Sequence, residues 1–397
     1  MEWWTAVTFS RMSLVQNLQP LLDKTDKPFV FATPSPVAID LHHIDRDAAG
    51  HVRANAGVPL REDSQRYLIR SLIEEAITSS QLEGASTTRK VAATMLRSGR
   101  KPRDLSEKMI FNNYRAMEHL RSLCEVRLTP EHVLELHRML TEDTLDDPLD
   151  AGRYRIRDDV HVVDTRDNTT LHSPPTHAEL PKRMQRLCDF ANADEASLPF
   201  VHPVLRAILL HFMIGYDHPF ADSNGRMARA LFYWSMAKSG YRLMQYTSIS
   251  HILRKAPTKT MRAYLHTETD KNDTTYFLLQ QLQTIRQATD ALHEYVARKT
   301  REQKETEFML ASSPNLRGRF NHRQTTLLNH ALRNAREAYR IDAHRRSNGV
   351  VYQTARHDLL ELEALGLLEK TKQGNAYVFY APSDLRDRLD VLAKSGT

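Results

Sequence analysis

Apolar residues recur at helical spacing along most of the chain. Leu68, Leu72, Ile73, Ala76 and Ile77 predict a helix over Ser64 to Glu83, stopped by Gly84. Residues 88 to 148 read as further helices: Asn112 to Leu120 is amphipathic, and Thr129-Pro130-Glu131 opens a helix with proline in its first turn. From Val204 to Tyr216 the chain is apolar on nearly every side, as a buried helix should be, and Ala230 to Lys238 repeats the pattern. The period changes at His161-Val-Val-Asp164 and again from Thr169 to Pro175, two β-like runs around the polar turn Thr165 to Asn168. They predict a short hairpin in a helical domain.

Both ends read differently. Pro20, Pro28, Pro34, Pro36 and Pro59 interrupt residues 1 to about 60, predicting a surface-wrapping extension in which His42-His43 is a solvated pair in a polar loop. Gln281 to Glu307 reads as a polar helical connector. Helices are then expected at Arg323 to Leu332, Tyr339 to Arg346 and Val351 to Leu362, with a turn at Ser347-Asn-Gly349. Gly366 to Lys370, the turn Gln373-Gly-Asn375 and Ala376 to Tyr380 follow as a strand-turn-strand wing. This is a winged helix-turn-helix pattern whose third helix offers Tyr352, Gln353, Arg356 and His357. From 301 to 397 there are 16 Lys and Arg against 12 Asp and Glu, so DNA readout and protein docking both stay open.

A length of 397 residues suggests two or three domains, and 41% hydrophobic with 26% charged residues is a globular composition. Two cysteines, Cys124 and Cys188, imply no disulfide framework and a reducing compartment. Without a basic-then-apolar leader or an apolar run of spanning length, a cytoplasmic location and no membrane partner are expected. The net charge of +6 permits nucleic-acid contact without requiring it. No two of His172, His177, His202 and His211 have the zinc-binding spacing, and His211 reads as a core histidine.

Chemistry concentrates between the two apolar helices, at His218-Pro-Phe-Ala-Asp-Ser-Asn-Gly-Arg-Met-Ala-Arg229. His218 suits a general base, and Asp222 is a hard oxygen ligand of the kind Mg²⁺ takes beside phosphates. Ser223-Asn224-Gly225 would expose amides at a helix start, where anions are favoured. Arg226 and Arg229, three apart, share one helix face and suit a polyphosphate.

This stretch resembles the signature of the Fic family, His-Pro-Phe-x-Asp/Glu-Gly-Asn-Gly-Arg-x-x-Arg. Ser223 stands where that pattern has glycine, adding a Cβ that restricts positive φ and a hydroxyl able to meet a phosphate oxygen. The resemblance implies transfer of AMP from ATP, with Mg²⁺, to a Ser, Thr or Tyr hydroxyl of a target protein. His218 would be the base, and Ala221, Asp222, Ser223, Asn224, Gly225, Arg226, Met227 and Arg229 would bind phosphate. Phe220 would pack the loop, and Tyr264 would lie near the adenosine end. Ser79-x-x-x-Glu83-Gly84 resembles the family's inhibitory motif, in which the glutamate takes the second motif arginine, here Arg229, from the nucleotide γ-phosphate. Gly152-x-Tyr154-Arg155 and Pro174-Pro175 resemble the family's target-clamping flap, although a purely structural hairpin reads as well.

The expected architecture is mainly α: an extension (1–60), a helical region with the inhibitory motif at 79–84 (61–115), a Fic-type bundle with a β-hairpin flap (116–285), a connector (286–310) and a winged helix-turn-helix (311–397). Two alternatives stay open, removal of AMP by a Glu83-positioned water and a DNA-binding regulator with a weakly active Fic domain. Self-modification, self-association and transfer of another nucleotide stay open too.

Overall fold

The computed structural model describes residues 2–48, 60–163, 169–194, 196–197, 199–311, 315–334, 336–373 and 376–394. It comprises two units, one of residues 1–52, 71–92 and 102–290 and one of 53–70, 93–101 and 291–397. In chain order the first elements are α1 (Glu2–Arg11), β1 (Val15–Leu22), β2 (Pro28–Ala32), α2 (Ser35–Ala48), α3 (Leu60–Leu82) and α4 (Arg89–Ser98). They are followed by α5 (Leu105–Leu123), α6 (Pro130–Thr141), β3 (Val162–Val163), β4 (Thr170–His172), α7 (Leu180–Ala191), α8 (Pro203–Asp217) and α9 (Asn224–Lys238). Short α10 (Ile249–Leu253), α11 (Pro257–Thr269) and the long α12 (Thr275–Ala311) come next.

In the first unit α8 and α9 form the centre. Each is buried on almost every side, as their apolar runs require. His202 caps α8, its Nδ1 accepting from the Val204 amide at 3.3 Å, with Pro203 in the first turn where its missing N–H costs nothing. Around the pair stand α5, with Asp104 as N-cap, α6, with Thr129 as N-cap and Pro130 behind it, and α7.

The N-terminal segment departs from the expected surface wrap. β1 and β2 pair antiparallel from Val15↔Ala32 to Leu22↔Pro28; alternation sends Phe29 and Phe31 into the core, and a register shift between Leu18 and Leu22 lets Leu18 and Leu21, three apart, both be buried. Phe29 meets Phe212 and Tyr216 of α8 edge to face, at 5.2 and 5.0 Å between ring centroids. His42 and His43 lie on helix α2 rather than in a loop, because Pro36 stands in that helix's first turn, a position proline favours. The flap strands pair as expected, Val162↔His172, while the polar turn Thr165 to Asn168, together with Asp164, lies outside the described residues.

The stretch expected as a polar helical connector is helical. It continues α12, with residues 275–290 in the first unit and 291–311 in the second. The second unit adds α13 (His322–Arg333), β5 (Ala338–Arg340), α14 (Ile341–Asn348), α15 (Tyr352–Ala364), β6 (Glu369–Gln373), β7 (Ala376–Tyr380) and α16 (Leu385–Lys394). Tyr339 and Arg340, expected to be helical, belong to β5, because Ala338–Arg340 finds a partner in β7 and completes an antiparallel sheet of order β5-β7-β6. Such pairing over long sequence separation leaves no local signature. Gly374 and Asn375 of the wing turn lie outside the described residues.

Buried Asp358 of α15 holds that unit's three central helices together. Its carboxylate accepts from Arg323 at 2.7 and 2.9 Å, from Asn321 at 2.8 Å and from His344 at 3.1 Å. Among the described residues, no helix is long and apolar enough to cross a membrane.

Candidate active site

Residues 218–223 form the turn between α8 and α9. His218 caps α8 in the left-handed region, with φ 43° and ψ 57°. Its Nδ1 lies 3.2 Å from the Gly215 carbonyl. An N–H there donates to that oxygen and leaves Nε2 as the basic nitrogen. Burial pushes the imidazole below its ordinary pKa, the Gly215 bond opposes this, and His172 adds to it. The neutral form is therefore the resting form at pH 7.

Asn224 closes the turn on itself, Oδ1 accepting from the Phe220 amide at 3.0 Å and Nδ2 donating to the Phe220 carbonyl at 2.8 Å. Phe220 is fully buried. Asp222 stands half-exposed, while Ser223 takes φ 67°, a left-handed conformation that glycine would adopt without strain. Arg226 donates to the Leu140 carbonyl at 3.1 Å and to the Ser223 hydroxyl, and its guanidinium is wholly buried. The serine therefore fixes the first arginine of the motif.

Arg229 is engaged from α3. Its Nε donates to Ser79 Oγ at 2.8 Å, and Nη2 donates to the Ser79 carbonyl at 3.1 Å and to Glu83 Oε1 at 2.8 Å. Glu83 lies directly over Gly225, where a Cβ would come within 2.1 Å of its Oε1. A carboxylate thus occupies the start of α9, where helix amides and two arginines favour an anion. Gly84, at φ 93°, ends α3 one residue later.

The structure thus brings Ser79, Glu83, Asp222, Ser223, Asn224, Gly225, Arg226 and Arg229 around one turn with His218, and Ala221 is exposed on it. The two remaining expected site residues make packing contacts. Met227 is buried and its amide donates to the Ser223 carbonyl at 2.9 Å, so it serves the helix. Tyr264 stacks on Phe212 at 5.0 Å and aims its hydroxyl at α8 carbonyls 3.4 Å away, a packing position.

Three supporting residues had no chemical signature in the sequence. Arg155, noted only as part of a flap motif, donates from Nε to the His218 carbonyl at 3.0 Å and from its amide to the Pro219 carbonyl at 2.9 Å. His137, in a helical register with Val133, Leu136 and Leu140, stacks on Phe220. Glu75, buried on α3, accepts from Tyr233, Ser248 and Ser250 and so ties α3 to α9 and α10. A polar residue at an apolar helical position was the available clue for the last two.

Residues 127–236 match the model of the Fic/DOC family. The chain is 34% identical to a protein adenylyltransferase Fic of Drosophila willistoni over 117 residues, 30% of this chain and 21% of that protein. It is 27% identical to a protein of the same name from Drosophila melanogaster over 198 residues, 49% of this chain and 37% of that one. The chain thus spans between about a fifth and just over a third of the length of these curated relatives. A crystal structure of a Fic family protein from Desulfovibrio desulfuricans G20 superposes with a TM-score of 0.53 at 17% identity, covering 88% of this chain and 97% of that one. That likeness is one of fold: mainly helical and Fic-like, with small antiparallel sheets. With the motif, the turn geometry and the family match in agreement, residues 127–236 form a Fic/DOC family region, and the chain is distantly related to the protein adenylyltransferases Fic.

Proposed function

We propose that the protein is a protein adenylyltransferase held inactive by Glu83. The observation that carries this reading is the Glu83 carboxylate over Gly225 and on Arg229, an anion of the chain itself standing at an anion site. In the active form the ATP phosphates replace that carboxylate at the start of α9, facing Arg229 and the Ser223-Asn224-Gly225 amides. Arg226, pinned by Leu140 and Ser223, adds fixed positive charge behind them. The half-exposed Asp222 carboxylate fits Mg²⁺, which would neutralise charge on the phosphates when bound.

His218 Nε2 takes the proton of a Ser, Thr or Tyr hydroxyl on the target protein. The resulting oxygen forms a bond to the α-phosphorus while the bond to the bridging oxygen of the β-phosphate breaks, and pyrophosphate leaves. Gly215 and Arg155 hold the base and its backbone, so catalysis is positioning plus charge stabilisation.

Label transfer from α-³²P-ATP with Mg²⁺ tests this. Glu83→Gly should label itself or an added protein at least tenfold more than wild type, and Glu83→Gly/His218→Ala should lose that label. Absence of label from every variant, with ATP, UTP and CTP alike, refutes the reading.

For the second unit we propose a winged helix that binds duplex DNA. Tyr352, Gln353, Arg356 and His357 are exposed on α15 while Ala355, Asp358, Leu359 and Leu362 are buried, which favours the first turns of that helix as a reading face. A gel shift at low salt that Arg356→Ala abolishes supports it, and no shift at any salt concentration refutes it.

A further inference from the structure

His137 is fully buried on α6, with its ring 3.9 Å from the Phe220 ring and only 7° from parallel. A phenylalanine could stack equally well. What the imidazole adds is two polar contacts. The Gly152 amide lies 3.0 Å from Nδ1, and the Asp222 carbonyl lies 3.2 Å from Nε2. An amide N–H can only donate, so Nδ1 must carry a lone pair. The proton is therefore on Nε2, which donates to the Asp222 carbonyl.

The Asp222 carbonyl belongs to the peptide that leads into Ser223. Ser223 keeps φ 67° only while that peptide keeps its orientation, and for a residue with a Cβ this conformation is strained. Rotating the peptide would release the strain and turn the Ser223 amide away from the Asp222 carboxylate that it now holds by a hydrogen bond. A buried hydrogen bond is of the size needed to oppose that rotation. The same helix also offers the Leu140 carbonyl to Arg226, so α6 holds the turn at two points.

We propose that His137, as the Nε2–H tautomer, is a positioning residue for nucleotidyl transfer: it locks the Asp222–Ser223 peptide and so offsets the strain of a serine at a glycine position. This rests on the transferase reading above.

The test compares variants of the full chain in the Glu83→Gly background. His137→Phe keeps the stack and removes both polar contacts, and His137→Gln keeps a donor at the Nε2 position. His137→Phe should lower kcat for label transfer at least tenfold, and His137→Gln should stay within about threefold of its parent. Adding Ser223→Gly to His137→Phe should recover part of the loss, an outcome that a simple packing defect does not produce. Independently of activity, ¹⁵N NMR of the parent should show the Nε2–H tautomer at pH 7, and the Ser223 amide should exchange faster in His137→Phe. Equal loss in the Phe and Gln variants, no recovery with Ser223→Gly, or an Nδ1–H tautomer overturns the proposal. If the Glu83→Gly parent takes no label, the transferase reading fails, and tautomer and amide exchange alone then decide whether His137 locks the turn.

Discussion

Glu83 Oε1 accepts a hydrogen bond from Arg229 Nη2 at 2.8 Å while Ser79 Oγ accepts one from Nε of the same guanidinium, also at 2.8 Å. Arg229 is thus a buried cation shared between Ser79 of α3 and Glu83 just past the end of that helix. Removing Glu83 leaves it with neutral acceptors only, at a cost of about 1–2 kcal/mol for a partly exposed pair. Glu83→Gly should therefore melt below wild type without nucleotide. On the proposed function, ATP with Mg²⁺ should raise the melting temperature of Glu83→Gly by several degrees and that of wild type by less, which a thermal-shift titration reads directly.

A base whose pKa is lowered must be neutral to act, so activity is lost as pH falls through the folded-state value. Burial and His172 place that value for His218 below 6.5. Label transfer by Glu83→Gly should be flat from pH 7 to 8 and decline only in acid, with a kcat midpoint under about 6.5. A midpoint at or above 7 contradicts this assignment of the base.

Glu75 accepts from the Tyr233 hydroxyl at 3.0 Å, the Ser248 hydroxyl at 2.8 Å, and the Ser250 amide and hydroxyl at 3.2 and 2.5 Å. Glu75→Ala strands these donors in a buried place and should cost about 3 kcal/mol, read as a lower urea midpoint. Because this contact fixes α3, Glu75→Gln should also raise basal label transfer although Glu83 is intact.

His137 and His211 are buried as neutral rings, their pKa values held down at about 4 and about 3 by desolvation. The unfolded chain binds protons near pH 6.5 and the folded one does not, so stability is complete above that pH and falls as pH drops toward 4. His137 alone can account for about 3 kcal/mol of that loss. Urea midpoints from pH 7 to 4.5 should fall less steeply in His211→Phe than in wild type.

Asp358 is the buried anion that joins α13, α14 and α15. Against burial, hydrogen bonds from His344, Arg323 and Asn321 hold its carboxyl far below the usual carboxylate range. Asp358→Ala leaves Arg323 and His344 without their anion and should cost about 3–5 kcal/mol. Helical circular dichroism should then show a separate early transition in urea, and any DNA shift should vanish with it.

The sequence by itself determined what is local. Apolar periodicity placed α8, α9 and the last two turns of α3. The motif His218 to Arg229 named the turn between α8 and α9, and Ser79-x-x-x-Glu83-Gly84 set two groups one turn apart at a helix end. Each signal arises within a few residues, because helix faces, caps and glycine stops are short-range properties. Only the tertiary structure decided which distant groups meet. It seated Phe29 and Phe31 in the core, turned Ala338–Arg340 into a strand by giving it β7 as partner, and stacked Tyr264 on Phe212 of α8. It also turned His137 and Glu75, unremarked in the sequence, and Arg155, noted only within the flap motif, into supports of the site. A buried polar group must find a partner, and which partner it finds depends on elements that approach from far along the chain.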